Sequence, residues 1–316
     1  MTRILIASTP VYGHFVPVRS IALHLVKIGH AVTFLTGEQF RSAVEETGAT
    51  FVPLTGKANY DLNYPEKFFP ERATLPAGFP QLEYDMLHVF ADPIPDQYAS
   101  IARLLEEMGE ETVIVQDSWF FGTWPFQLGA PGPRPKAVVS IGITVLPLTS
   151  IDTAPFGPGL PPDSSPAGRA RNRELNDKTK NELFAPLQSH LVHLLESVGA
   201  KEPAPFYFDG MVTVPDLYLH LGIEGFEYPR SDAPASIHYV GTLPVNSGEA
   251  RPLPNWWGEV STAETVVVVS QGTIANHDFS ELIEPTMEAV AGLDALVIAL
   301  TGRPAELANA GQRTDR

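Results

Sequence analysis

Short apolar runs that alternate with amphipathic stretches are the feature that most constrains the fold of this chain. Residues 3–8 carry a continuous apolar run, which is the pattern of a strand buried on both faces of a parallel sheet. From Val16 onward apolar side chains recur at helical spacing, and Gly29 ends that helix before a second apolar run at residues 31–35. The start of the chain therefore predicts a βαβ unit.

The same alternation continues along the chain. It predicts further strands at residues 50–54, 112–117, 136–141, 217–221 and 237–240, and helices at residues 38–47, 97–108 and 172–197. After a connector stiffened by prolines, the pattern restarts with a strand at residues 265–270, a helix at 277–291 and a strand at 295–300. The expected fold class is α/β, with a doubly wound parallel sheet and the start of a second such domain.

Length and the position of the connector predict the domain boundaries. The chain has 316 residues, which corresponds to about two domains of roughly 150 residues each. We expect a complete first domain at residues 1–243, a connector at 244–262 and an incomplete second domain at 263–316. The second domain would have only about a third of the usual length.

Composition and charge exclude several classes of protein. With 44% hydrophobic and only 18% charged residues, the chain does not have the composition of a disordered protein. Its formal net charge of -16 is unfavourable for binding nucleic acid or an anionic membrane surface. The absence of cysteine excludes disulfides, thiolate zinc sites and cysteine nucleophiles, and it favours a cytoplasmic location. The first apolar run is too short for a secretory signal, and no stretch reaches the roughly 18 apolar residues of a transmembrane helix.

Ligands of open α/β sheets bind at the carboxyl ends of the strands, so the turns that follow the strands are the expected place of function. Two of these turns, at residues 9–15 and 117–124, hold the acid–base residues His14 and Asp117. Neutral imidazole accepts a hydroxyl proton near pH 7, and a carboxylate on its other nitrogen would fix the tautomer. His14 is therefore a candidate general base with Asp117 as its partner. Alternatively, His14 is a polar group at a helix end and Asp117 is a helix N-cap.

Phosphate-binding motifs give a mostly negative result. The chain lacks the G-x-G-x-x-G fingerprint after its first strand and has no G-x-x-x-x-G-K-[ST] loop, which argues against a nucleotide-dependent oxidoreductase or methyltransferase. The turn that contains Ser270, Gly272 and Thr273 suits backbone N–H contacts with a phosphate. A tight turn between a strand and a helix is the alternative interpretation.

Three further segments have a structural and a functional interpretation. His190 and His193 are three positions apart on one predicted helix, but no carboxylate lies at ligand spacing, so we expect no metal site there. The aromatic residues at positions 119–126 are either core or the wall of a pocket for an apolar ligand. The residues at 147–166, dense in proline and glycine, are expected to form a long loop or lid.

A set of segments together resembles one known family. They are R-I-L-I-A-S-T-P-V-Y-G-H-F-V-P at residues 3–17, V-I-V-Q-D-S at 113–118, H-Y-V-G-T-L-P at 238–244, W-W at 256–257 and V-V-V-S-Q-G-T at 267–273. In this order and spacing the chain is similar to the nucleotide-sugar-dependent glycosyltransferases of the GT-B type, which have two facing Rossmann-like domains. The similar branch is family 1, whose members glycosylate macrolides, other antibiotics and plant phenolics. The resemblance covers nearly the whole chain.

The resemblance implies a function and roles for particular residues. The family transfers a hexose from a nucleotide-diphosphate sugar to a hydroxyl group of a small lipophilic acceptor, with inversion. His14 matches the family's base, and Asp117 matches the carboxylate paired with it. Positions on the donor side are matched by Gly13, Gly272 and Thr273. The stretches that build the family's acceptor pocket are here residues 59–90, 119–126 and 147–166, and no metal or other cofactor is implied.

One segment expected from the resemblance is not found. Members of the family carry, late in their second domain, a histidine- and glycine-rich donor signature, whereas after residues 301–304 this chain continues through small and polar residues. We therefore expect a C-terminally truncated glycosyltransferase with little or no activity alone, whose ligands are a nucleotide sugar and a small hydrophobic acceptor. The alternative is a non-catalytic binding module for a hydrophobic small molecule or for a partner that completes the second domain.

Overall fold

The computed structural model describes residues 2–244, 253–272 and 278–301. The chain divides into two compact units, Met1–Val245 and Asn246–Arg316. None of the helices within the described ranges has the length and apolar character that crossing a bilayer requires.

The first unit is built on a parallel sheet, which has seven strands in the part of the chain that the structure describes. The strands are β1 Arg3–Ala7, β2 Ala31–Thr36, β3 Thr50–Pro53, β4 Val113–Asp117, β5 Ala137–Gly142, β6 Leu217–His220 and β7 Ile237–Tyr239. Their order is β3-β2-β1-β4-β5-β6-β7, and all neighbours are parallel. The order reverses between β1 and β4, where doubly wound sheets bind ligands. The predicted α/β class with a doubly wound parallel sheet is confirmed.

Helical segments connect the strands of this sheet. The α-helices of the first unit are α1 Tyr12–Lys27, α2 Arg41–Glu45, α3 Pro65–Phe68, α4 Phe79–Tyr84, α5 Ile94–Met108, α6 Trp124–Gln127, α7 Pro166–Lys178, α8 Ala185–Ser197 and α9 Tyr207–Thr213. Tighter 3-10 turns are Glu38–Phe40, Gly56–Ala58, Pro70–Thr74 and Glu224–Phe226. Wider π-helical turns are Asp85–Ala91 and Thr179–Leu183.

Burial on both faces explains why the central strands are continuous apolar runs. In β1, Leu5 and Ile6 are fully buried and point to opposite faces, because side chains alternate along a strand. Leu5 packs in one apolar cluster with Ile101 of α5, and Ile6 packs in another with Phe15 of α1. α5 and α1 therefore cover opposite faces of the sheet.

The first helix, α1, begins about one turn earlier than the sequence predicts. Its first turn closes with hydrogen bonds of 2.9 Å from the N–H groups of His14 and Phe15 to the carbonyl oxygen of Val11. Phe15 is buried with Val18, so the apolar face of the helix extends back into the segment expected to be a loop. His14 and Gly13 consequently lie in the first helical turn.

The single helix predicted at residues 172–197 is two helices. α7 begins earlier, at Pro166, and a π-helical turn separates it from α8. Pro186 lies in the first turn of α8, and it has no N–H group for the hydrogen bond that a continuous helix needs. The short helix α9 was not predicted. Its Gly210 weakens the helical pattern but leaves room for the ring of Trp124, which a side chain at that position would meet.

The loop predicted at residues 147–166 is present, and hydrogen bonds fix its first part to other segments of the first unit. Asp232 accepts a hydrogen bond of 2.5 Å from Oγ of Ser150, and Nδ2 of Asn176 donates to the carbonyl oxygen of Ser150 at 3.2 Å. The loop ends where α7 begins, and its tip is exposed at Phe156. Its role as a lid stays a prediction.

The second unit contains a parallel two-stranded sheet among its described residues. β8 Val266–Ser270 pairs with β9 Leu296–Leu300. Between them in the chain lie a 3-10 turn, Phe279–Glu281, and α11 Ile283–Val290, which makes this a βαβ unit. A short helix, α10 Gly258–Thr262, precedes β8. The helix predicted at residues 277–291 is thus shorter than expected, and its first residue lies outside the described residues.

Candidate functional site

The candidate site lies where two central strands of the sheet end. β1 and β4 are parallel neighbours, with Ala7 opposite Gln116, so the residues that follow them meet at one edge of the sheet. Asp117 is the last residue of β4, and a short link after β1 leads directly into α1. This topology brings His14, in the first turn of α1, next to Asp117.

His14 and Asp117 form a hydrogen-bonded pair. Nδ1 of His14 lies 2.9 Å from Oδ1 of Asp117; the Asp117 side chain is fully buried, whereas that of His14 is 13% exposed. Because an ionised carboxylate only accepts hydrogen bonds, the proton of neutral His14 lies on Nδ1. Nε2 then carries the free lone pair, and it has no hydrogen-bond partner among the described residues. This is the geometry of a general base held by a carboxylate.

Hydrogen-bond donors surround the buried carboxylate of Asp117. Thr9 donates twice to Oδ2, from its N–H group at 2.7 Å and from its hydroxyl at 3.0 Å, and the N–H group of Trp119 donates to Oδ1 at 2.9 Å. These donors replace the water that a buried negative charge has lost. Sequence reasoning missed Thr9, because a contact across 108 residues leaves no periodic signal in the chain.

Two neighbouring aromatic rings lie beside the imidazole of His14. The ring centre of Phe90 lies 5.5 Å from it and that of Trp119 lies 6.1 Å from it, edge-on, and the two aromatic rings are 4.7 Å apart. Phe90 belongs to the π-helical turn Asp85–Ala91, a geometry that is frequent at functional sites. Both rings are only partly buried, so the site combines a histidine with an apolar wall.

Most of the aromatic stretch at residues 119–126 belongs to the core. Its fully buried members are Phe120, Phe121, Trp124 and Phe126. They pack in the apolar clusters of the first unit and are not accessible to a ligand. Of the two interpretations of this stretch, the core interpretation holds for these four residues, and Trp119 is the member beside His14.

Buried phenols near the pair stay neutral. Burial, together with the negative charges of Asp117 and Asp85, raises the pKa of Tyr60 well above its usual value of about 10. Burial, and then the neighbouring Tyr60, likewise raises the pKa of Tyr207. Neither phenol can act as a base at neutral pH.

Two grooves of the first unit are lined by stretches that the resemblance assigns to an acceptor pocket. One, of about 370 Å³, lies beside the aromatic residues Tyr60, Phe69 and Tyr84. The other, of about 420 Å³, lies between Pro155 in the long loop and Leu183 in the second π-helical turn. His14 lines neither groove, so their use by an acceptor stays a prediction.

A second cluster of histidine and carboxylate was not predicted. Asp92 lies 3.1 Å from Nδ1 of His88, 2.6 Å from Nε2 of His190 and 3.4 Å from Nζ of Lys57. His190 meets its carboxylate across 98 residues, so the spacing along its own helix could not reveal it, while His193 is exposed. In the part of the chain that the structure describes, no group of three or more His, Cys, Asp or Glu side chains is placed to hold a metal ion.

We expect the Asp92 cluster to stabilise the fold only above about pH 4. Burial works to raise the pKa of Asp92, but the hydrogen bonds from His88 and His190 and the charge of Lys57 hold it below its usual value. A carboxyl group with a lower pKa in the folded protein contributes stability above its unfolded pKa of about 3.9, and this contribution is lost as the pH falls through the folded pKa.

Asp92→Asn should therefore lower the Tm at pH 7 and lower it less near pH 2. Each kcal/mol lost corresponds to about 2–4 °C for a unit of this size. Asp177→Asn is the matched control, because Asp177 is exposed on α7 and should affect the Tm at neither pH. A difference in Tm that does not change with pH would contradict the assignment of this stability to the Asp92 carboxylate.

The residues expected on the donor side are less constrained. Gly13 lies in the first turn of α1, and an added Cβ there would meet no described atom within 4 Å. Gly272 follows β8 with a φ of 74°, which favours glycine, and its N–H group donates to Oγ of Ser270 at 3.2 Å. Thr273 lies outside the described residues. The part of these residues in donor binding stays a prediction.

Known proteins with similar sequences include a UDP-glycosyltransferase. UDP-glycosyltransferase 2 of Phaeomoniella chlamydospora is 44% identical to this chain over 302 residues, which cover 94% of this chain and 66% of that protein. The 4'-demethylrebeccamycin synthase of Lentzea aerocolonigenes is 36% identical over 306 residues, which cover 96% of this chain and 71% of the synthase. No protein-family model matches the chain.

A solved structure has a similar fold. The kitacinnamycin glycosyltransferase superposes with a TM-score of 0.64 and 20% identity, covering 98% of this chain and 68% of its own. This likeness shows the fold, and the GT-B type of fold expected from the resemblance is confirmed. On the sequence identities above, the chain belongs to the UDP-glycosyltransferase family. It spans about two thirds of the length of these relatives.

Proposed function

We propose that the whole protein transfers a hexose from a nucleotide-diphosphate sugar to a hydroxyl group of a small lipophilic acceptor, and that the first unit activates this acceptor. The observation that supports this most strongly is the buried Asp117 carboxylate 2.9 Å from Nδ1 of His14. A hydroxyl group is a weak nucleophile, and a base of this kind activates it. The name of a further relative, the UDP-glucosyltransferase avaP of Aspergillus versicolor, 37% identical over 318 residues that cover 94% of this chain and 68% of that protein, supports a UDP-sugar donor.

In the proposed reaction His14 removes a proton while the acceptor oxygen attacks. Nε2 takes the hydroxyl proton as the oxygen forms a bond to the anomeric carbon of the sugar. The bond from that carbon to the diphosphate oxygen breaks, and its electron pair leaves with the nucleoside diphosphate. Asp117 holds the ring and stabilises the imidazolium that forms. A single displacement from the opposite side inverts the anomeric configuration.

The proposed acceptor lies against the aromatic wall of the site. Phe90 and Trp119 are partly exposed and lie together beside the base, so they would contact the apolar body of a molecule whose hydroxyl group reaches Nε2 of His14. Apolar surface buried in this way contributes about 25 cal/mol per Å². On the donor side, the proposal assigns contacts with the nucleotide sugar to Gly13, Gly272 and Thr273.

We expect the product to have the anomeric configuration opposite to that of the donor. With UDP-α-glucose and a simple phenol, one displacement gives the β-glucoside, which the anomeric proton signal in NMR identifies. An α-glucoside would contradict the single displacement. Binding of the phenol in calorimetry, without any transfer, would favour the binding module over the enzyme.

A further inference from the structure

Thr9 supports the buried carboxylate of Asp117 at the oxygen that His14 does not contact. It lies in the link between β1 and α1 and is fully buried. Its N–H group and its hydroxyl both donate to Oδ2, at 2.7 and 3.0 Å, whereas Oδ1 receives Nδ1 of His14 and the N–H group of Trp119. Among the described residues, Oδ2 of Asp117 is thus held by Thr9 alone.

These two contacts favour one orientation of the carboxylate. Two donors on one oxygen fix the rotation of the carboxylate group, and this rotation turns Oδ1 toward His14.

We propose that Thr9 is a positioning residue that fixes the rotation of the Asp117 carboxylate so that Oδ1 stays aimed at Nδ1 of His14, and thereby keeps Nε2 free to act as the base. The inference rests on the proposed role of His14. If the carboxylate turned away, Nδ1 would lose its acceptor, and the proton of the neutral imidazole would no longer be held on Nδ1 and could sit on Nε2. Such a ring cannot accept the proton of an acceptor hydroxyl. Thr9 therefore acts on the reaction through Asp117 and the tautomer of His14.

The test compares Thr9→Val with matched controls. Thr9→Val keeps the shape of the side chain and the backbone N–H group but removes the hydroxyl, while Thr9→Ser retains the hydroxyl. Thr123→Val removes another fully buried hydroxyl, one that donates to Oε1 of Gln116 at 2.7 Å and not to Asp117. Thr9→Ala also removes the hydroxyl and serves if valine at this position prevents folding.

Two measurements are made on each variant. Nitrogen NMR of the imidazole groups in the full chain shows which nitrogen of His14 carries the proton, and its signals are assigned by their loss in His14→Gln. The second measurement is the transfer of glucose from UDP-glucose to a phenol, with kcat and KM determined separately. The NMR measurement does not require turnover.

We expect Thr9→Val to increase the fraction of neutral His14 with its proton on Nε2. It should also lower kcat by about tenfold to a hundredfold, the range for one hydrogen bond to a charged group, with little change in KM. Thr9→Ser and Thr123→Val should keep the wild-type tautomer and the wild-type kcat.

An unchanged tautomer and an unchanged kcat in both Thr9→Val and Thr9→Ala would overturn the inference. A shift of equal size in Thr123→Val would also overturn it, because the effect would then follow from any lost buried hydroxyl. If the whole protein transfers no sugar, the proposed function fails, but the NMR measurement still decides whether Thr9 sets the tautomer of His14.

Discussion

Asp117→Asn is expected to lower the rate of transfer by about 10³–10⁴-fold, since the equivalent change in hydrolytic triads costs about 10⁴-fold. The amide oxygen of asparagine can still accept the hydrogen bonds from Thr9, which turns its NH₂ group toward His14. That group donates to Nδ1, so the proton of the neutral imidazole moves to Nε2. The nitrogen that should accept the proton of the acceptor is then blocked, although the side chain has kept its shape.

The measurement is kcat/KM for the acceptor, together with the Tm of the variant. Asp216→Asn is a matched control, because Asp216 accepts the N–H group of Val138 at 2.8 Å just before β6 and has no contact with His14. We expect the control to retain wild-type transfer. A kcat/KM for Asp117→Asn within tenfold of the wild-type value would show that the carboxylate is not needed to set the tautomer.

His14→Ala is expected to lower transfer by about 10²–10⁴-fold, which is the usual contribution of a general base. Binding of the acceptor should persist, because Phe90 and Trp119 still provide the apolar wall beside the site. Imidazole added to the solution should restore part of the rate, since it can occupy the space left by the side chain and take up the proton.

Rates are measured at saturating donor, and acceptor binding is measured by calorimetry. His24→Ala provides the control, because His24 is an exposed histidine on the same helix, α1, and should leave the rate unchanged. Transfer by His14→Ala at the wild-type rate would remove His14 from the mechanism.

The strands of this fold could be predicted because strands buried on both faces are continuous apolar runs in the sequence. Residues such as Leu5 and Ile6 face two different apolar clusters, so both faces of β1 must be apolar and the strand becomes a continuous run. The boundaries of the helices were harder to predict from the sequence. α1 starts before its predicted first residue because Phe15 is buried by tertiary packing, and α9 was missed because Gly210 is explained only by its contact with Trp124.

The sequence could predict only those contacts of the site that follow from the order of the strands in the sheet. His14 and Asp117 follow strands that pair in parallel, so their meeting follows from the order of β1 and β4 in the sheet. The other neighbours of the pair depend on side-chain directions. Thr9 contacts Asp117 across 108 residues, and Phe90 reaches His14 from a π-helical turn that no periodic pattern indicates.

The double variant His14→Ala with Asp117→Asn tests most directly whether the two residues work as one base. Residues that act as a unit are not additive, because once one of them is lost the other has nothing left to support. We predict that the double variant transfers sugar at a rate within about twofold of the slower single variant. A loss equal to the product of the two single losses would contradict the claim that Asp117 acts through His14.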